Sequence, residues 1–363
     1  MRIAVPAEIM NNENRIALTP IGAETLVKDG HEVFIQAGAG EGASFLDADY
    51  EAAGATIVPT AKDAWEAADL LLKVKEPLEE EYQYLHSDLK VFTYLHLAAD
   101  RPLTDALVNS GATSIAYETV TDRHGTLPLL TPMSQVAGRL AVVEGVHHLL
   151  STQGGRGILV SGVPGTQPAR VVVIGGGQVG ASAVSMAQGL RAEVTVLDLD
   201  PHVLQRFDDQ YQGGVRTLIS DPTTIEKELQ EADLVIGAVL IPGAAAPKLV
   251  REETVKKMKK GAVLVDVAID QGGCFENSHK TSHDDPTFKV HDTVFYCVAN
   301  MPGAVANTSA RALNSATLPY IRAIASGGLD AAVERFPGLA GGIMTRDGKL
   351  ISEPVRKAFD WKD

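Results

Sequence analysis

Cysteine, positive charge and long apolar runs are all scarce in this chain of 363 residues. Its two cysteines, Cys274 and Cys297, are too few for a disulfide framework of the kind that holds small secreted domains together. Lysine and arginine number 32 against 46 acidic residues, and this net charge of −14 argues against a nucleic-acid partner, because phosphate contacts need a basic face. No apolar run reaches the ~18 residues of a membrane span.

The remaining composition is that of a folded globular protein. Hydrophobic residues make up 45% of the chain and charged residues 21%, which excludes wholesale disorder. The N-terminal segment turns polar after six residues, so we expect no signal peptide. At ~100–200 residues per domain, the length indicates two domains. We therefore expect a cytoplasmic, soluble α/β protein without nucleic-acid or membrane partners.

Short β-rich runs alternate with helical stretches through the first third of the chain. Thr19 and Pro20 are a capping residue and a first-turn proline, and they predict a helix that continues to about Asp29. This alternation predicts a mostly parallel sheet with helices on both faces. The predicted strands are Arg2–Val5, Glu32–Gln36, Thr56–Val58, Leu70–Val74, Lys90–Leu97 and Ser114–Glu118.

A second series of strands begins at Ala169. Six apolar runs alternate with helical segments over about 130 residues, which is the pattern of a complete dinucleotide-binding domain. The runs are ARVVVIG, EVTVLD, VRTLIS, ADLVIGAV, AVLVDVA and TVFYCV. The helical segments are Gln178–Leu190, Pro222–Gln230 and Glu252–Lys260, and longer connecting helices are predicted near 131–151 and 308–326.

A glycine motif joins the first strand of this series to the first helix. Gly175, Gly177 and Gly180 fit the pattern G-x-G-x-x-G, and Gln178 and Val179 fill its variable positions. The pattern alone is weak, but here it follows an apolar strand and precedes a helix, which is the context that a dinucleotide site requires. The glycines permit a tight turn and close approach of a diphosphate, which the N–H groups of the helix N-terminus would bind.

An acidic residue follows the motif at the distance expected for a ribose ligand. Asp198 ends the next apolar strand, eighteen residues after Gly180, and Asp200 is a nearby alternative. A carboxylate there binds the ribose hydroxyls and repels a 2′-phosphate, so the sequence predicts NAD rather than NADP as the cofactor.

The other predicted cofactor contacts lie where strands of this domain end, because ligands of open α/β sheets bind beyond the carboxyl ends of the strands. Asp270 stands out as an acid in a glycine-flanked turn, although a turn-forming aspartate would look the same. These positions are Ser220, Val239, Leu240, Val267, Ile269, Asp270, Val298, Asn300 and Met301.

Four residues of the first domain have the side chains that an anionic substrate and a proton transfer need. Arg15 lies in a polar loop, Lys73 and Lys75 close an apolar strand, and His96, whose imidazole can transfer protons, lies at an apolar strand end. Three of them also have an ordinary structural reading: a surface charge for Arg15, an edge residue for Lys75 and a core histidine for His96.

Six segments, taken in order, resemble the L-alanine dehydrogenase family, which is related to the transhydrogenase alpha subunit. They are RIAVPAEIMNNENRIALTP, DLLLKVKEP, FTYLHLA, LLTPMSQVAGRLA, GGGQVG and VDVAIDQGGCFE, and the likeness continues past residue 310.

The resemblance implies a role for each candidate. Arg15 and Lys75 would bind the carboxylate and oxo group of pyruvate, His96 and Asp270 would be the acid/base pair, and Ser134 would contact the cofactor. It also implies a discontinuous substrate lobe from residues 1–130 and 308–363, with the NAD-binding domain of residues 131–307 inserted into it. A homo-hexamer is implied as well.

The sequence departs from the family at two kinds of position. Members often carry a basic residue where Val203 and His279 stand here. Some members bind a divalent metal through an acid and a histidine of the late helix, and the matching stretch, RAIASGGLDAA, lacks such a pair. We therefore expect no bound metal.

The resulting hypothesis is the reversible oxidative deamination of L-alanine by NAD to give pyruvate and ammonium. Three alternatives remain at this point: the NAD-binding component of a transhydrogenase, a non-catalytic NAD(H) sensor, and the same chemistry on another small 2-oxo acid such as glyoxylate.

Overall fold

The structure is a computed structural model that describes residues 1–239 and 246–361. The chain divides into two compact units, each described separately below. Unit 1 consists of Met1–Met133 and Gly303–Asp363, and unit 2 consists of Ser134–Pro302.

The strands found in these ranges are β1 (Arg2–Val5), β2 (Glu32–Gln36), β3 (Thr56–Val58), β4 (Leu70–Leu72), β5 (Lys90–Thr93), β6 (Thr113–Ala116), β7 (Arg170–Ile174), β8 (Glu193–Asp198), β9 (Arg216–Ile219), β10 (Leu234–Gly237), β11 (Val263–Asp266), β12 (Thr287–Val290), β13 (Thr293–Tyr296), β14 (Ile343–Arg346) and β15 (Lys349–Leu350). The α-helices in the same ranges are α1 (Pro20–Lys28), α2 (Asp47–Ala52), α3 (Ala61–Ala67), α4 (Arg101–Ser110), α5 (Thr131–His148), α6 (Gln178–Gly189), α7 (Pro201–Tyr211), α8 (Pro222–Glu231), α9 (Glu252–Val255), α10 (Ala306–Arg335) and α11 (Glu353–Ala358).

Unit 1 is built on an eight-stranded sheet in the order β15-β14-β6-β5-β4-β1-β2-β3. The six strands from β1 to β6 pair in parallel, whereas β14 joins β6 and β15 joins β14 in antiparallel fashion. The chain therefore starts in the middle of the sheet at β1 and builds outward in both directions. Strand order reverses between β1 and β4, which creates a crevice at their carboxyl ends.

Unit 2 has a seven-stranded sheet in the order β12-β13-β11-β10-β7-β8-β9. Its six parallel strands are the six that the sequence predicts, and they have the 3-2-1-4-5-6 order of a Rossmann fold, with the reversal between β7 and β10. The expected α/β architecture, a Rossmann domain and a second α/β unit with a mostly parallel sheet, is confirmed.

Apolar strand residues pack against helices to form the core of unit 2. One buried cluster joins Val172 and Leu264 of the sheet to Ile225 and Leu229 of α8, and Phe295 of β13 belongs to the same cluster. Strands that are buried in this way read as continuous apolar runs, which is why they were predictable.

The predicted helix starts are confirmed where a cap is encoded. The Thr19 hydroxyl accepts a hydrogen bond from the Gly22 N–H, and Pro20 opens α1 as expected. Asp221 caps α8, which was predicted to begin at Pro222, in the same way. Asp200 also caps a helix ahead of a proline, although α7 was not predicted from the sequence. These residues satisfy N–H groups that have no partner within the helix.

Several elements differ from the prediction. β4 ends at Leu72 rather than Val74, and β6 spans Thr113–Ala116 rather than Ser114–Glu118. The strand predicted to run from Lys90 to Leu97 ends at Thr93, and the helix predicted from Glu252 to Lys260 ends at Val255. An antiparallel edge strand, β12, was not predicted, because it is only half-buried and lacks an apolar run. The late helix is longer than predicted and is interrupted at Gly328, where φ is +79°.

No helix in the described part of the chain is long and apolar enough to cross a bilayer.

We expect the two glycines of α6 to respond oppositely to alanine. A Cβ at Gly180 would lie 1.8 Å from the Gly175 carbonyl oxygen, whereas a Cβ at Gly189 would have no heavy atom within 4 Å. Gly180→Ala should therefore lower the free energy of unfolding by about 2 kcal/mol or more, because helix and turn must separate. Gly189→Ala should raise it by about 0.5 kcal/mol through helix propensity.

Urea unfolding followed by circular dichroism measures both changes. Equal stability of the two variants would contradict the close approach at Gly180.

Candidate active site

The strand order of unit 1 gathers its candidate residues at one edge of the sheet. Strands β1, β4 and β5 are neighbours and run in parallel, so their carboxyl ends meet. The segments that follow them carry Arg15, Lys73 with Lys75, and His96. Residues far apart in the chain thus share the edge at which α/β sheets bind ligands.

Arg15 is buried and held by a neighbouring carboxylate, so the surface reading is wrong. Its Nε lies 2.7 Å from Glu13 Oε1 and its Nη2 lies 2.5 Å from Glu13 Oε2, which is a two-point pair. Its Nη1 also lies 3.2 Å from Met133 Sδ. Burial acts to lower the pKa of the guanidinium, but the Glu13 carboxylate more than compensates and raises the pKa above its ordinary value.

Lys73 is a structural charge within unit 1. Its side chain is 1% exposed, and its ammonium lies 2.9 Å from Glu81 Oε1 and 3.1 Å from Glu8 Oε2. Burial acts to lower the pKa of Lys73, but the two carboxylates outweigh it, so the pKa is raised and the amine stays charged. Burial also raises the pKa of the Glu8 carboxyl, which shares one cation with Glu81.

Lys75 differs from Lys73 although it lies only two residues away. Its side chain is half-buried, and none of the described residues forms an ion pair or hydrogen bond with its ammonium. Its backbone is fixed, since the Thr93 hydroxyl at the end of β5 donates to the Lys75 carbonyl oxygen at 2.8 Å. A positioned cation without a protein partner is suited to binding an anion.

His96 has a strained backbone and an exposed ring, so the core-histidine reading is wrong. Its φ is +49°, in the left-handed region that non-glycine residues seldom adopt, and its side chain is 54% exposed. Glu118 holds this conformation, because its carboxylate accepts hydrogen bonds from the N–H groups of Leu95 and His96. The ring stacks parallel to Tyr94, and its Nδ1 lies 3.9 Å from Glu118 Oε1. Strain of this kind at a ligand-facing edge is a mark of functional sites.

The glycine turn of unit 2 fits a dinucleotide. Gly175 has a φ of +97°, and a Cβ there would meet the Ala238 carbonyl oxygen at 2.8 Å. A Cβ at Gly177 would enter open space, and both Gly177 and Gln178 are exposed. None of the described side chains caps the N-terminus of α6, so the glycine turn and the first N–H groups of the helix can hold a diphosphate.

Asp198 is tied to this turn. Its Oδ2 accepts a hydrogen bond from the Gly176 N–H at 2.6 Å, and its Oδ1 accepts one from the Asp200 N–H at 2.9 Å. Asp200 itself accepts from the His202 N–H as the cap of α7. Of the two candidates, Asp198 is thus the one that contacts the turn.

The remaining predicted contacts fall on strand ends or on a helix. Ser220 follows β9, Val267 and Ile269 lie in a 3-10 turn after β11, and Val298 follows β13. The others are Val239 after β10, Asn300 and Met301 beyond Val298, and Ser134 in the first turns of α5. Leu240 lies outside the described residues.

Asp270 occupies the same 3-10 turn, Val267–Gln271. Its side chain is exposed, and its carboxylate forms no ion pair with an arginine or lysine among the residues that the structure covers. An exposed, unpaired acid at the carboxyl edge of the sheet is available for proton transfer.

The two departures from the family have local surroundings of their own. Val203 on α7 packs over the glycine turn, since its Cγ1 would lie 2.5 Å from a Cβ at Gly176. Arg206, one helical turn later, places Nη2 3.4 Å from the Gly176 carbonyl oxygen. The His279 ring packs on Phe288, with centroids 3.7 Å apart. No group of three metal-ligating side chains occurs in the described ranges.

Sequence reasoning missed the residues that hold the candidates in place. Glu13 fixes Arg15, Glu8 and Glu81 neutralise Lys73, and Glu118 fixes His96. A lysine at the end of an apolar strand signals that a buried carboxylate must exist, but the sequence does not say which of 46 acidic residues supplies it.

Comparison with known proteins assigns the chain to a family. A sequence model of the alanine dehydrogenase/PNT N-terminal domain matches residues 4–137, and one of the C-terminal domain matches residues 141–353. The chain belongs to the alanine dehydrogenase/PNT family. The resemblance noted in the sequence is thereby confirmed.

Individual proteins that are similar to this alanine dehydrogenase/PNT member support the same assignment. The alanine dehydrogenase of Mycolicibacterium smegmatis is 57% identical over 360 residues, covering 99% of this chain and 97% of that protein. The alanine dehydrogenase of Staphylococcus epidermidis is 50% identical over 363 residues, covering 100% and 98%. A solved L-alanine dehydrogenase structure matches with a TM-score of 0.96 at 49% identity over 99% of each chain. A transhydrogenase from Sinorhizobium meliloti, at a TM-score of 0.83 and 24% identity over 97% and 99%, shares the fold.

Lys73 and Lys62 of unit 1 each form an ion pair, one buried and one exposed, and together they allow a matched test of the buried pair. Lys73→Met should lower the free energy of unfolding by about 3 kcal/mol at pH near 8, because it leaves Glu8 and Glu81 buried without a cation. The deficit should shrink as pH falls towards about 5, since the raised pKa of Glu8 lets it take up a proton. Denaturant unfolding at both pH values measures this.

The control is Lys62→Met, which removes an exposed lysine 3.6 Å from Glu66. That variant should unfold like the parent protein, because surface ion pairs contribute little. A Lys73→Met protein as stable as the control would contradict the structural role of Lys73.

Proposed function

We propose that this chain catalyses the NAD-dependent oxidative deamination of L-alanine, with Arg15, Lys75, His96 and Asp270 as its working residues. L-alanine, NAD⁺ and water give pyruvate, ammonium, NADH and a proton, and the reaction is reversible. The observation that carries the proposal is the convergence of Arg15, Lys75 and His96 on one sheet edge of a chain that is 50–57% identical to alanine dehydrogenases.

Arg15 and Lys75 bind the substrate carboxylate, and Lys75 also polarises the oxo or imine group. Arg15 is oriented before substrate arrives, because Glu13 holds two of its nitrogens. The Lys75 ammonium is the stronger attractor for an anion, since no carboxylate within the described ranges offsets its charge. Fixed charges of this kind stabilise the developing negative charge without reorganising.

His96 and Asp270 move protons. They remove a proton from the water that adds to the substrate imine and return one to the departing ammonia. The left-handed backbone of His96 and the Glu118 hydrogen bonds hold the imidazole at the sheet edge while leaving its ring exposed to substrate. Asp270 is likewise exposed on its 3-10 turn.

Unit 2 holds the cofactor in this proposal, and unit 1 is the substrate lobe. The glycine turn and the N-terminus of α6 bind the diphosphate, and Asp198 binds the adenosine ribose and disfavours a 2′-phosphate. NAD⁺ held there would supply the acceptor for the hydride that leaves C2 of L-alanine. Arg15 and Lys75 align C2 for the reaction, and alignment of this kind lowers the activation free energy by ~7–11 kcal/mol where the geometry is good.

The competing functions lack such support. A transhydrogenase component or a non-catalytic sensor needs no set of substrate-binding side chains, yet here a buried carboxylate orients Arg15 and a strained backbone presents His96. The transhydrogenase likeness, at 24% identity, extends to the fold alone.

The proposal also covers the oligomeric state of the enzyme and its location in the cell. We place the enzyme in the cytoplasm as a homo-hexamer, on the strength of its family resemblance and its low cysteine content. Light scattering of the purified protein tests the hexamer, and a smaller particle would contradict it.

Replacing His96 tests the proposed acid/base role. We expect His96→Ala to lower kcat by a factor of about 10²–10⁴, because that is the usual contribution of a positioned acid or base. The dissociation constant for NADH, followed by fluorescence, should stay unchanged, since His96 belongs to unit 1.

The control is His86→Ala, which removes another exposed histidine ahead of β5. It should retain the parent kcat. An unchanged kcat in His96→Ala would remove His96 from the mechanism.

A further inference from the structure

A buried carboxylate lies four residues before Asp270. Asp266 is the last residue of β11 and is fully buried. Its Oδ2 accepts hydrogen bonds from the Cys274 N–H at 2.9 Å, the Phe275 N–H at 3.2 Å and the Ser278 hydroxyl at 2.5 Å. Its Oδ1 accepts from the Ala268 N–H at 3.1 Å and from the Cys274 thiol at 3.5 Å.

All five groups around Asp266 are donors, so the ionised carboxylate is the form that satisfies them. Burial raises the pKa of the Asp266 carboxyl, and the donors from Ser278, Phe275 and Cys274 oppose that shift. Burial also keeps the Cys274 thiol protonated, because its pKa lies well above the ordinary value, and the thiol can therefore donate. A carboxylate with this many donors is a fixed point of the local structure.

The donors come from both ends of the turn that carries Asp270. Asp266 caps the 3-10 turn Val267–Gln271 at its start through the Ala268 N–H. It closes the same loop at its far end through Cys274 and Phe275. Asp270 therefore lies on a loop whose two ends are fastened to a single side chain.

Gly273 shows how closely the loop is drawn onto this carboxylate. Its φ is +77°, and a Cβ there would lie 2.6 Å from Asp266 Oδ2. Only glycine fits this backbone without moving the carboxylate. The loop conformation and the Asp266 side chain thus depend on each other.

We propose that Asp266 is a positioning residue of the dehydrogenase reaction, whose carboxylate holds the Asp270 turn in its working geometry. The proposal rests on the proposed role of Asp270 and deepens it. Asp266 is buried and does not itself contact substrate, so it acts through Asp270. A displacement of about 1 Å in a catalytic group can cost a factor of about 10² in rate.

Asparagine at this position keeps the size of the side chain but cannot keep its bonds. An amide has one carbonyl oxygen, and its NH₂ group would face donors on the other side. One orientation loses the two donors on Oδ1 and the other loses the three on Oδ2. The loop must then shift to relieve the mismatch.

A double-mutant cycle with Asp270 tests the proposal, because residues that act as one unit give non-additive losses. The proteins are the parent, Asp266→Asn, Asp270→Asn and the double variant. For each, kcat, KM for L-alanine and NAD⁺, the NADH dissociation constant and the thermal unfolding midpoint are measured.

The matched control is Asp233→Asn. Asp233 is another buried aspartate of unit 2, just before β10, where it accepts a hydrogen bond from the Arg170 N–H and pairs with Arg156. It lies at the amino end of its strand, away from the edge that carries Asp270. Asp233→Asn should lower the unfolding midpoint while leaving kcat within about threefold of the parent.

We expect Asp266→Asn to lower kcat by a factor of about 30 or more, with the NADH dissociation constant within about fivefold of the parent. In the Asp270→Asn background the same substitution should lower kcat by no more than about threefold. A kcat of Asp266→Asn near that of the parent, or losses that multiply in the double variant, would overturn the inference and leave the proposed function intact. A parent protein without activity, or an Asp270→Asn protein with full kcat, would overturn the proposed function and this inference together.

Ser278→Ala keeps the test decisive if Asp266→Asn does not fold. It removes one donor from Oδ2 and leaves the backbone donors in place. We expect kcat to fall by a factor of about 3–10, again without further loss in the Asp270→Asn background. A Ser278→Ala enzyme with the parent kcat would overturn the proposal.

Discussion

Parallel strand pairing about a central first strand is the constraint on which both units depend. In unit 1 the chain begins at β1 and builds outward on either side, and in unit 2 it does the same from β7. This order brings the carboxyl ends of β1 and β4, and of β7 and β10, side by side. Each reversal creates an edge where successive loops meet, so the strand order brings residues that are distant in the chain to the same edge. The chemistry of this enzyme follows from which side chains those loops carry.

Charged groups at such edges lie next to a dry core and lose part of their hydration. In each unit, carboxylates compensate for this loss. Glu13 orients Arg15, and Glu8 with Glu81 keeps Lys73 charged. Glu118 and Asp266 use backbone N–H groups instead, and in doing so they fix the segments that carry His96 and Asp270. Lys75 and Asp270 have no such partner among the described residues, and in the proposed mechanism they meet substrate together with Arg15 and His96. Lys73 therefore serves the fold, whereas Lys75 is the lysine that we propose for the reaction.

The sequence was sufficient to predict most of the framework, because local signals encode it. Apolar runs mark the parallel strands, threonine or aspartate before proline marks helix starts such as α1, and the glycine spacing marks the turn before α6. It was insufficient where tertiary contacts decide. Strand β5 stops at Thr93 because Glu118 draws the next residues into a tight turn, and this carboxylate is 25 residues away in the chain. β12 pairs as an edge strand without an apolar pattern, and nothing local shows that Asp266 would gather five donors. The roles of Arg15, Lys75, His96 and Asp270 came from family resemblance rather than from spacing.

Absorbance at 340 nm follows the transfer of hydride from L-alanine to NAD⁺ by this chain. Purified protein is mixed with L-alanine and NAD⁺ at alkaline pH, where release of a proton favours oxidation. D-alanine and NADP⁺ replace the respective partners in parallel samples. A rise in absorbance with L-alanine and NAD⁺ alone is the predicted result, because L-alanine is the proposed substrate and a carboxylate at Asp198 would repel a 2′-phosphate. A flat trace from protein that still binds NADH by fluorescence would contradict this activity and favour a transhydrogenase component or a sensor.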